Sequence, residues 1–197
     1  MSGRLVAALV AFASLLTAAH ASPRLLVNEE APALAAWTEF CTRMPAECAV
    51  NTAEPDTVDL TEEARELITA VNRHVNRSIK ALVDTKHWGK EDQWDIPTDG
   101  RGDCEDYQLL KRKLLVEAGL PRRAMRMTVV LGNRGEGHAV LTIRTAEADL
   151  ILDNLTDAVL PWKDTGYRFI KRESTEKVGW AYLELEPSPA RVALAAR

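Results

Sequence analysis

Residues 92–107 read DQWDIPTDGRGDCEDY, a loop rich in aspartate, glycine and proline that leads to a single cysteine. Apolar residues then recur at three- and four-residue steps over residues 109–118, until Gly119 interrupts the pattern. This spacing predicts an amphipathic helix with Asp103 at its N-cap and Cys104 in its first turn. The unpaired amides and the dipole at a helix start favour a thiolate. We therefore expect Cys104 to have a lowered pKa and to act as a nucleophile.

The amino-terminal segment has the features of a secretory signal peptide. Arg4 precedes an uncharged, mostly apolar run, and Ala19 and Ala21 occupy the small-residue positions of an A-x-A cleavage site. We expect cleavage after Ala21, so that residues 1–21 are removed and the net charge changes from −4 to −5 with the loss of Arg4. The apolar run of about 15 residues is short for a bilayer span. An uncleaved anchor is the weaker alternative, and we expect no membrane insertion of the mature chain.

The remaining sequence is long enough for one domain with its own core. We assign residues 22–186 to this domain and residues 187–197, which carry two prolines and no periodic pattern, to a loose tail. The chain is 46% hydrophobic and 27% charged, as ordinary globular proteins are. Its net charge of −4 and its lack of a basic cluster argue against nucleic acid or an anionic membrane as a partner.

Three cysteines allow one disulfide and one free thiol. Cys41 and Cys48 are seven residues apart, a spacing that a turn can close into a disulfide, and export implies an oxidising compartment. That pairing leaves Cys104 free. A buried, unreactive Cys104 and a disulfide between Cys104 and one of the other two cysteines stay open as alternatives.

Helical patterns precede strand patterns along the domain. Periodic apolar residues predict a short helix over residues 32–44 and a long one over residues 60–83, where Asp59 and Glu62 resemble a capping box. After the helix of Cys104, the residues favour β-strands that are separated by turns. Helices followed by antiparallel strands are typical of the α+β class. The predicted strands cover residues 125–131, 138–143, 150–154, 167–171 and 180–186.

A predicted hairpin brings His138 close to Asp153. If the two strands turn around Thr145 and Ala146, residues whose numbers sum to 291 lie opposite each other, and this pair satisfies the sum. Opposed residues of an antiparallel pair have Cβ atoms about 5 Å apart on one face, although a slip of one residue would separate the faces. The carboxylate then orients the imidazole towards a thiolate, which predicts a Cys104–His138–Asp153 triad. A purely structural His–Asp pair is the alternative.

Three carboxylates surround the cysteine, those of Asp103, Glu105 and Asp106. They repel one another unless a cation or a basic group neutralises them, and calcium prefers oxygen ligands. These residues are therefore candidate calcium ligands. The alternative is that they are acids favoured by the helix dipole alone. Zinc is poorly supported because the chain lacks a paired C-x-x-C or H-x-x-x-H motif.

Several segments of the sequence resemble the bacterial transglutaminase-like cysteine proteinases. They are Trp94, Pro97, Gly100–Tyr107, Lys111, Gly137–Leu141 and Leu152–Leu155. The likeness spans residues 37–180, and the block G-D-C-E-D-Y is its most specific part. The resemblance implies a papain/transglutaminase-like fold, in which N-terminal helices and a helix that carries the nucleophile pack on an antiparallel sheet. It also implies the triad Cys104, His138 and Asp153.

The best-known members of this family, the LapG-type proteases, are periplasmic and calcium-dependent. They release large adhesins from the cell surface and so control biofilm attachment. The resemblance implies a periplasmic, calcium-dependent enzyme with a surface adhesin as its protein substrate and an inner-membrane protein as its regulator. It also implies that the calcium ligands fall on the positions of Asp103, Glu105 and Asp106.

We expect an exported cysteine endopeptidase. Cys104 attacks a peptide carbonyl, His138 takes the thiol proton and returns it to the leaving amine, and Asp153 orients His138. Asn154 is expected to support the pair. Two other functions remain open. A transglutaminase would form the same acyl-enzyme but pass the acyl group to an amine, and a non-catalytic protein would keep the fold and the calcium site to bind a partner.

Overall fold

The computed structural model describes residues 24–184. The predicted signal peptide, residues 1–21, and the predicted tail, residues 187–197, lie outside the described residues, and the bounds of the predicted domain, 22–186, stay a prediction. The described helices are α1 (Ala35–Arg43), α2 (Pro45–Cys48), α3 (Glu62–Ser78), α4 (Asp84–His87) and α5 (Cys104–Glu117). The described strands are β1 (Leu26–Ala31), β2 (Lys80–Ala81), β3 (Arg101–Gly102), β4 (Met125–Leu131), β5 (Gly137–Arg144), β6 (Asp149–Leu152), β7 (Leu160–Pro161), β8 (Arg168–Glu173) and β9 (Trp180–Glu184).

Seven of these strands form one antiparallel sheet in the order β1-β9-β8-β4-β5-β6-β7, and β2 and β3 form a short parallel pair. Helices α1 to α5 precede the main strands along the chain, which confirms the predicted α+β class. All five predicted strands are present, and β4 has its predicted bounds. The edge strands β1 and β7 are not predicted, because neither has an alternating apolar pattern and each depends on pairing with β9 or β6.

Helix α5, which begins with Cys104, packs between the sheet and α3. Leu109 and Leu115 of α5 are fully buried in the main core, together with Met127 of β4 and Leu141 of β5. Burying an apolar side chain of this size stabilises the fold by about 1.5–3 kcal/mol. This packing holds α5 against the two central strands that lead towards the predicted site.

The opposite face of the sheet carries a second apolar cluster, which includes Val140 and Ile151. Because side chains alternate along a strand, Leu141 of β5 faces α5, whereas His138 lies on the side of Val140. The start of α5 meets β5 near the first residues of that strand, where the N–H of Ala139 reaches the sulfur of Cys104.

The long helix α3 begins later than predicted. Its N-cap is Thr61, whose side-chain oxygen accepts a hydrogen bond at 3.2 Å from a backbone N–H of the first turn. The predicted capping box of Asp59 and Glu62 is therefore wrong. A hydroxyl placed directly before two glutamates supplies the cap instead.

The same helix also ends earlier than predicted, at Ser78. The apolar residues beyond it keep a helical spacing, but the backbone there pairs with β3: the N–H of Leu82 donates to the carbonyl of Gly102 at 2.9 Å. This pairing is non-local, so the periodicity of the sequence does not reveal it. It places the start of α5 beside the segment that follows α3.

The structure pairs Cys41 with Cys48 and leaves Cys104 free. The disulfide joins the end of α1 to the end of α2, as the spacing of the two cysteines suggests. A disulfide to Cys104 is thereby excluded. Within residues 24–184, each helix is too short or too polar to cross a lipid bilayer.

Candidate active site

Cys104 is the first residue of α5, and Asp103 occupies the N-cap with extended backbone, as predicted. The approach to the helix is tight: a Cβ added to Gly102 would lie 2.5 Å from a side-chain oxygen of Asp106. Glycine is therefore required at this step, which explains the sequence R-G-D-C at the helix start. Cys104 is half-buried and not sealed in the core.

The thiol of Cys104 lies against an acid. It donates a hydrogen bond to Oε2 of Glu105 at 3.2 Å. Burial, followed by the negative charge of Glu105, raises the pKa of Cys104 well above its usual value, while a hydrogen bond from the backbone N–H of Ala139 acts against this rise. The predicted lowering of the thiol pKa is therefore wrong, because burial and neighbouring carboxylates outweigh the helix dipole.

His138 and Asp153 form the predicted pair. His138 Nε2 lies 2.8 Å from Asp153 Oδ1, and both side chains are largely buried. Because a carboxylate only accepts hydrogen bonds, Nε2 carries the proton and Nδ1 is left as an acceptor. This is the tautomer that a general base for a thiol needs.

The register of the hairpin differs from the predicted one. Leu141 pairs with Leu152 and Arg144 with Asp149, so paired residue numbers sum to 293 and not to 291. The difference is two residues, and side chains of a strand repeat every two residues. His138 and Asp153 consequently stay on the same side as diagonal neighbours, although Asp153 lies just past the end of β6.

Asp153 has further hydrogen-bond donors that the sequence analysis missed. The hydroxyl of Tyr167 donates to Oδ2 at 2.6 Å, and the backbone N–H of Leu155 donates to Oδ1 at 3.0 Å. Burial alone would raise the pKa of Asp153, but the bonds from His138 and Tyr167 outweigh it, and the pKa lies below its usual value. Tyr167 is the first residue of a predicted strand, and nothing in that pattern indicates its contact with the site.

Asn154 does not support the pair directly in the described structure. Its Oδ1 accepts a hydrogen bond from Gln108 Nε2 of α5 at 3.3 Å. The main chain of Asp153 is held from the other helix, since Asn76 of α3 donates to its carbonyl oxygen at 3.0 Å. The segment after β6 is thus fixed by polar side chains of α3 and α5.

Two contacts relate the thiol to the His–Asp pair. The N–H that reaches the sulfur of Cys104 belongs to Ala139, the residue directly after His138. The His138 ring lies 5.6 Å from the ring of Tyr167, and the charge of Cys104 contributes to raising the pKa of Tyr167. The thiol of Cys104 therefore lies against the backbone at the start of β5, next in sequence to His138.

A cluster of carboxylates lies beside Cys104. Oxygen atoms of Asp84, Asp103 and Glu105 are all within 4.8 Å of one another. Asp106 lies outside this cluster, because its Oδ1 accepts a hydrogen bond from the N–H of Asp95 at 2.8 Å. Its role as a calcium ligand stays a prediction.

Asp84 takes the third position and was not expected from the sequence. It begins the four-residue helix α4, and its backbone N–H donates a hydrogen bond to Oδ2 of Asp103 at 3.4 Å. The short segment V-D-T-K-H-W has no metal-ligand spacing relative to Cys104, so no local signal identifies it. Backbone hydrogen bonds between the segment after α3 and the segment of β3 bring Asp84 close to Asp103.

The cluster has the properties of a cation site. Oδ1 of Asp84 and Oδ1 of Asp103 are buried and have no hydrogen-bond partner among the described residues. Burial raises the pKa of Asp84 and of Glu105, and in both cases the charge of Asp103 adds to the rise. Oxygens that are buried, unpartnered and mutually repelling fit a hard divalent ion.

A family model described as bacterial transglutaminase-like cysteine proteinase matches residues 27–187. Comparison with curated proteins gave no match.

Among solved structures, calcium-bound LapG of Legionella pneumophila is 24% identical, with a TM-score of 0.52 over 68% of this chain and 79% of LapG. The EGTA-treated form of the same protein is 25% identical, with a TM-score of 0.52 over 63% of this chain and 69% of LapG. A third structure of LapG is 25% identical, with a TM-score of 0.51 over 67% of this chain and 75% of LapG. These structures share the papain/transglutaminase-like arrangement of helices on an antiparallel sheet. The chain therefore belongs to the bacterial transglutaminase-like cysteine proteinases and is a cysteine peptidase.

Proposed function

We propose that the chain is an exported cysteine endopeptidase that uses Cys104, His138 and Asp153 as its catalytic triad. The observation that carries the proposal is the 2.8 Å contact between His138 Nε2 and Asp153 Oδ1 beside the only free cysteine of the sequence. It leaves Nδ1 of His138 unprotonated and therefore able to accept the thiol proton.

In this mechanism Cys104 loses its proton to His138 and attacks the substrate carbonyl carbon, which forms the acyl-enzyme as the amine leaves with a proton from His138. Water then attacks the acyl-enzyme, and the thiol is regenerated. The backbone N–H of Cys104 is one of the four amides at the helix start that have no partner within the helix. It is suited to bind the oxyanion of the tetrahedral intermediates.

Hydrolysis of a peptide library, followed by mass spectrometry, tests the triad. We expect no cleavage by Cys104→Ala, and a loss of about 10³–10⁴-fold in kcat for Asp153→Asn, because a neutral amide no longer stabilises the imidazolium and its NH2 group can donate to the ring and favour the wrong tautomer. His74→Ala is the matched control, because His74 is exposed on α3 and away from the site. Undiminished cleavage by Cys104→Ala would contradict the proposal, and transfer of the acyl group to an added amine would favour a transglutaminase.

We also propose that Asp84, Asp103 and Glu105 bind calcium. The buried, unpartnered oxygens of Asp84 and Asp103 support this, as does the similarity to LapG, which has been solved in a calcium-bound and in an EGTA-treated form. When bound, the ion would supply positive charge that offsets the repulsion among the carboxylates. The residues on either side of Cys104 would then be held in one arrangement.

The proposed setting is the periplasm, with a surface adhesin as substrate and an inner-membrane protein as regulator. The leader-like residues 1–21 and the resemblance to LapG-type proteases support this setting. Co-expression with a surface adhesin encoded beside this chain tests it. We expect release of the adhesin into the medium by the parent chain and retention on cells that carry Cys104→Ala.

A further inference from the structure

We propose that Tyr167 is a positioning residue for the triad: it holds the second oxygen of Asp153 so that the first oxygen faces His138. This inference rests on the proposed function and extends the site beyond the three residues that the sequence indicates. Tyr167 lies before β8, far along the chain from Cys104 and His138, and none of the motifs of the sequence includes it.

The hydrogen bonds of Asp153 support this role. Oδ1 accepts from His138 and from the N–H of Leu155, at 2.8 and 3.0 Å. Oδ2 accepts from Tyr167 at 2.6 Å, which is the single side-chain donor that the described residues offer to this oxygen. A carboxylate that is held at both oxygens cannot rotate without losing a bond, so Tyr167 fixes the plane in which Asp153 meets the imidazole.

Tyr167 is itself held in place by its own segment. Gly166 has a positive φ of +73°, and the N–H of Tyr167 donates to the hydroxyl oxygen of Thr165 at 3.3 Å. That hydroxyl in turn donates to the carbonyl of Trp162 at 2.8 Å. The Trp162 ring meets Phe169 of β8 edge to face at 5.5 Å. The tyrosine is thus preorganised before any substrate binds.

A cavity of about 60 Å³ beside Asp153 and Tyr167 bears on how much activity Tyr167→Phe should lose. Asp153 and Tyr167 both line it, with Thr156 and Leu160 among the other residues. A water molecule occupies about 30 Å³ in the liquid, so a water fits where the tyrosine hydroxyl is removed. We therefore expect Tyr167→Phe to lose about 10–100-fold in kcat, less than Asp153→Asn, because water restores a bond but not a fixed geometry.

The direction of the pH effect follows from the charges that face Asp153. A donated hydrogen bond stabilises the ionised carboxylate, so its removal raises the pKa of Asp153. This rise shifts the acidic limb of kcat/KM to higher pH. The other charged or titratable groups around Asp153 and Tyr167 are Lys111 of α5, Glu136 before β5, Asp157 after β6 and Cys104.

The experiment compares Tyr167→Phe with two matched tyrosine variants. Tyr182→Phe removes an exposed hydroxyl on β9 and should change neither stability nor kinetics. Tyr107→Phe removes a buried hydroxyl that donates to the Ile79 carbonyl at 2.7 Å, so it should lower stability without moving the pH profile. For Tyr167→Phe we expect a lower kcat, a KM within about threefold of the parent value and an acidic limb at higher pH.

A second measurement does not depend on activity. In the inactive Cys104→Ala background, ¹⁵N NMR of the His138 ring should show one tautomer, with the proton on Nε2. Adding Tyr167→Phe should produce a mixture of tautomers. An unchanged ring signal together with an unchanged pH profile would overturn the inference, whereas cleavage that persists in Cys104→Ala would instead contradict the proposed function.

Discussion

At the scale of single residues, Lys111 is the least expected side chain of α5. It is fully buried, and its Nζ has no hydrogen-bond partner among residues 24–184. It lies seven residues after Cys104, two turns along the same side of the helix. Burial lowers its pKa to about 7, although the charges of Asp153 and Asp157 act in the opposite direction. The folded protein therefore favours a neutral amine at this position.

Replacing Lys111 by methionine should stabilise the protein, most strongly at low pH. The pKa is about 7 in the folded state and near 10.5 in the unfolded chain. The unfolded state thus binds more protons between these values, and the free energy of unfolding rises with pH across that window. Lys111→Met removes this cost, which is on the order of 5 kcal/mol below pH 7 and falls to about 1 kcal/mol at pH 10. Urea unfolding at pH 6 and at pH 10 measures it.

Lys113→Met is the matched control, because Lys113 is partly exposed and pairs with Glu117 one turn further along the helix. Its effect should stay within about 0.5 kcal/mol at both pH values. A Lys111→Met protein that is less stable than the parent at pH 6 would show that the ammonium has a partner in the folded state.

At the scale of elements, the proposed calcium site joins α4 to the start of α5. Asp84 comes from α4, while Asp103 and Glu105 flank Cys104. Oδ2 of Asp84 accepts a hydrogen bond from the N–H of Gln93. The same carboxylate therefore ties down the loop between α4 and β3 and leaves its other oxygen for a ligand.

Calcium should raise the melting temperature of the EGTA-treated protein. At 100 times the dissociation constant, a ligand that binds only the folded state adds about 2.7 kcal/mol, or roughly 5–10 °C for a chain of this size. Asp84→Asn should remove most of this gain, because it takes one charge from the site. Differential scanning fluorimetry and titration calorimetry measure the two effects.

Asp106→Asn tests whether the third calcium ligand is Asp84, as the structure suggests, or Asp106, as the sequence suggests. Burial raises the pKa of Asp106 to about 8, and its hydrogen bond from Asp95 survives in asparagine. Calcium binding should therefore be retained in Asp106→Asn. If Asp106→Asn loses calcium binding and Asp84→Asn keeps it, Asp106 and not Asp84 is the ligand.

At the scale of the whole molecule, Glu173 of β8 connects four elements at the centre of the fold. Its Oε1 accepts from the indole N–H of Trp37 in α1 at 2.7 Å. Its Oε2 accepts from Arg112 of α5 at 2.6 Å and from the N–H of Met127 in β4 at 3.0 Å. Arg112 and Glu173 are both almost completely inaccessible to solvent.

Glu173→Ala should destabilise the protein by about 3–5 kcal/mol, because it leaves the guanidinium of Arg112 buried without its counter-charge. Glu176→Ala should cost less than about 1 kcal/mol, since the Glu176 carboxylate is largely exposed and Arg123 keeps its hydrogen bonds to backbone carbonyl groups. Chemical denaturation of both variants provides the comparison. Equal losses would mean that the buried pair does not hold α1 and α5 to the sheet.

The predictable part of this fold is the part that local patterns determine. β4 has its predicted bounds, and α5 begins at Cys104, because alternation and a loop–helix boundary are both visible in a few neighbouring residues. The end of α3 is not predictable in this way. The apolar spacing continues past Ser78, and pairing with β3 across a long loop overrides it.

The sequence by itself determined the class of the fold, the placement of Cys104 at a helix start and the common side of His138 and Asp153. A two-residue period keeps these two residues together even when the register is displaced by two. Only the tertiary structure decided that Tyr167 contacts Asp153, that Asp84 replaces Asp106 in the carboxylate cluster, and that the pKa of Cys104 is raised. Those outcomes depend on burial and on charges that are distant in sequence, and no local pattern carries that information.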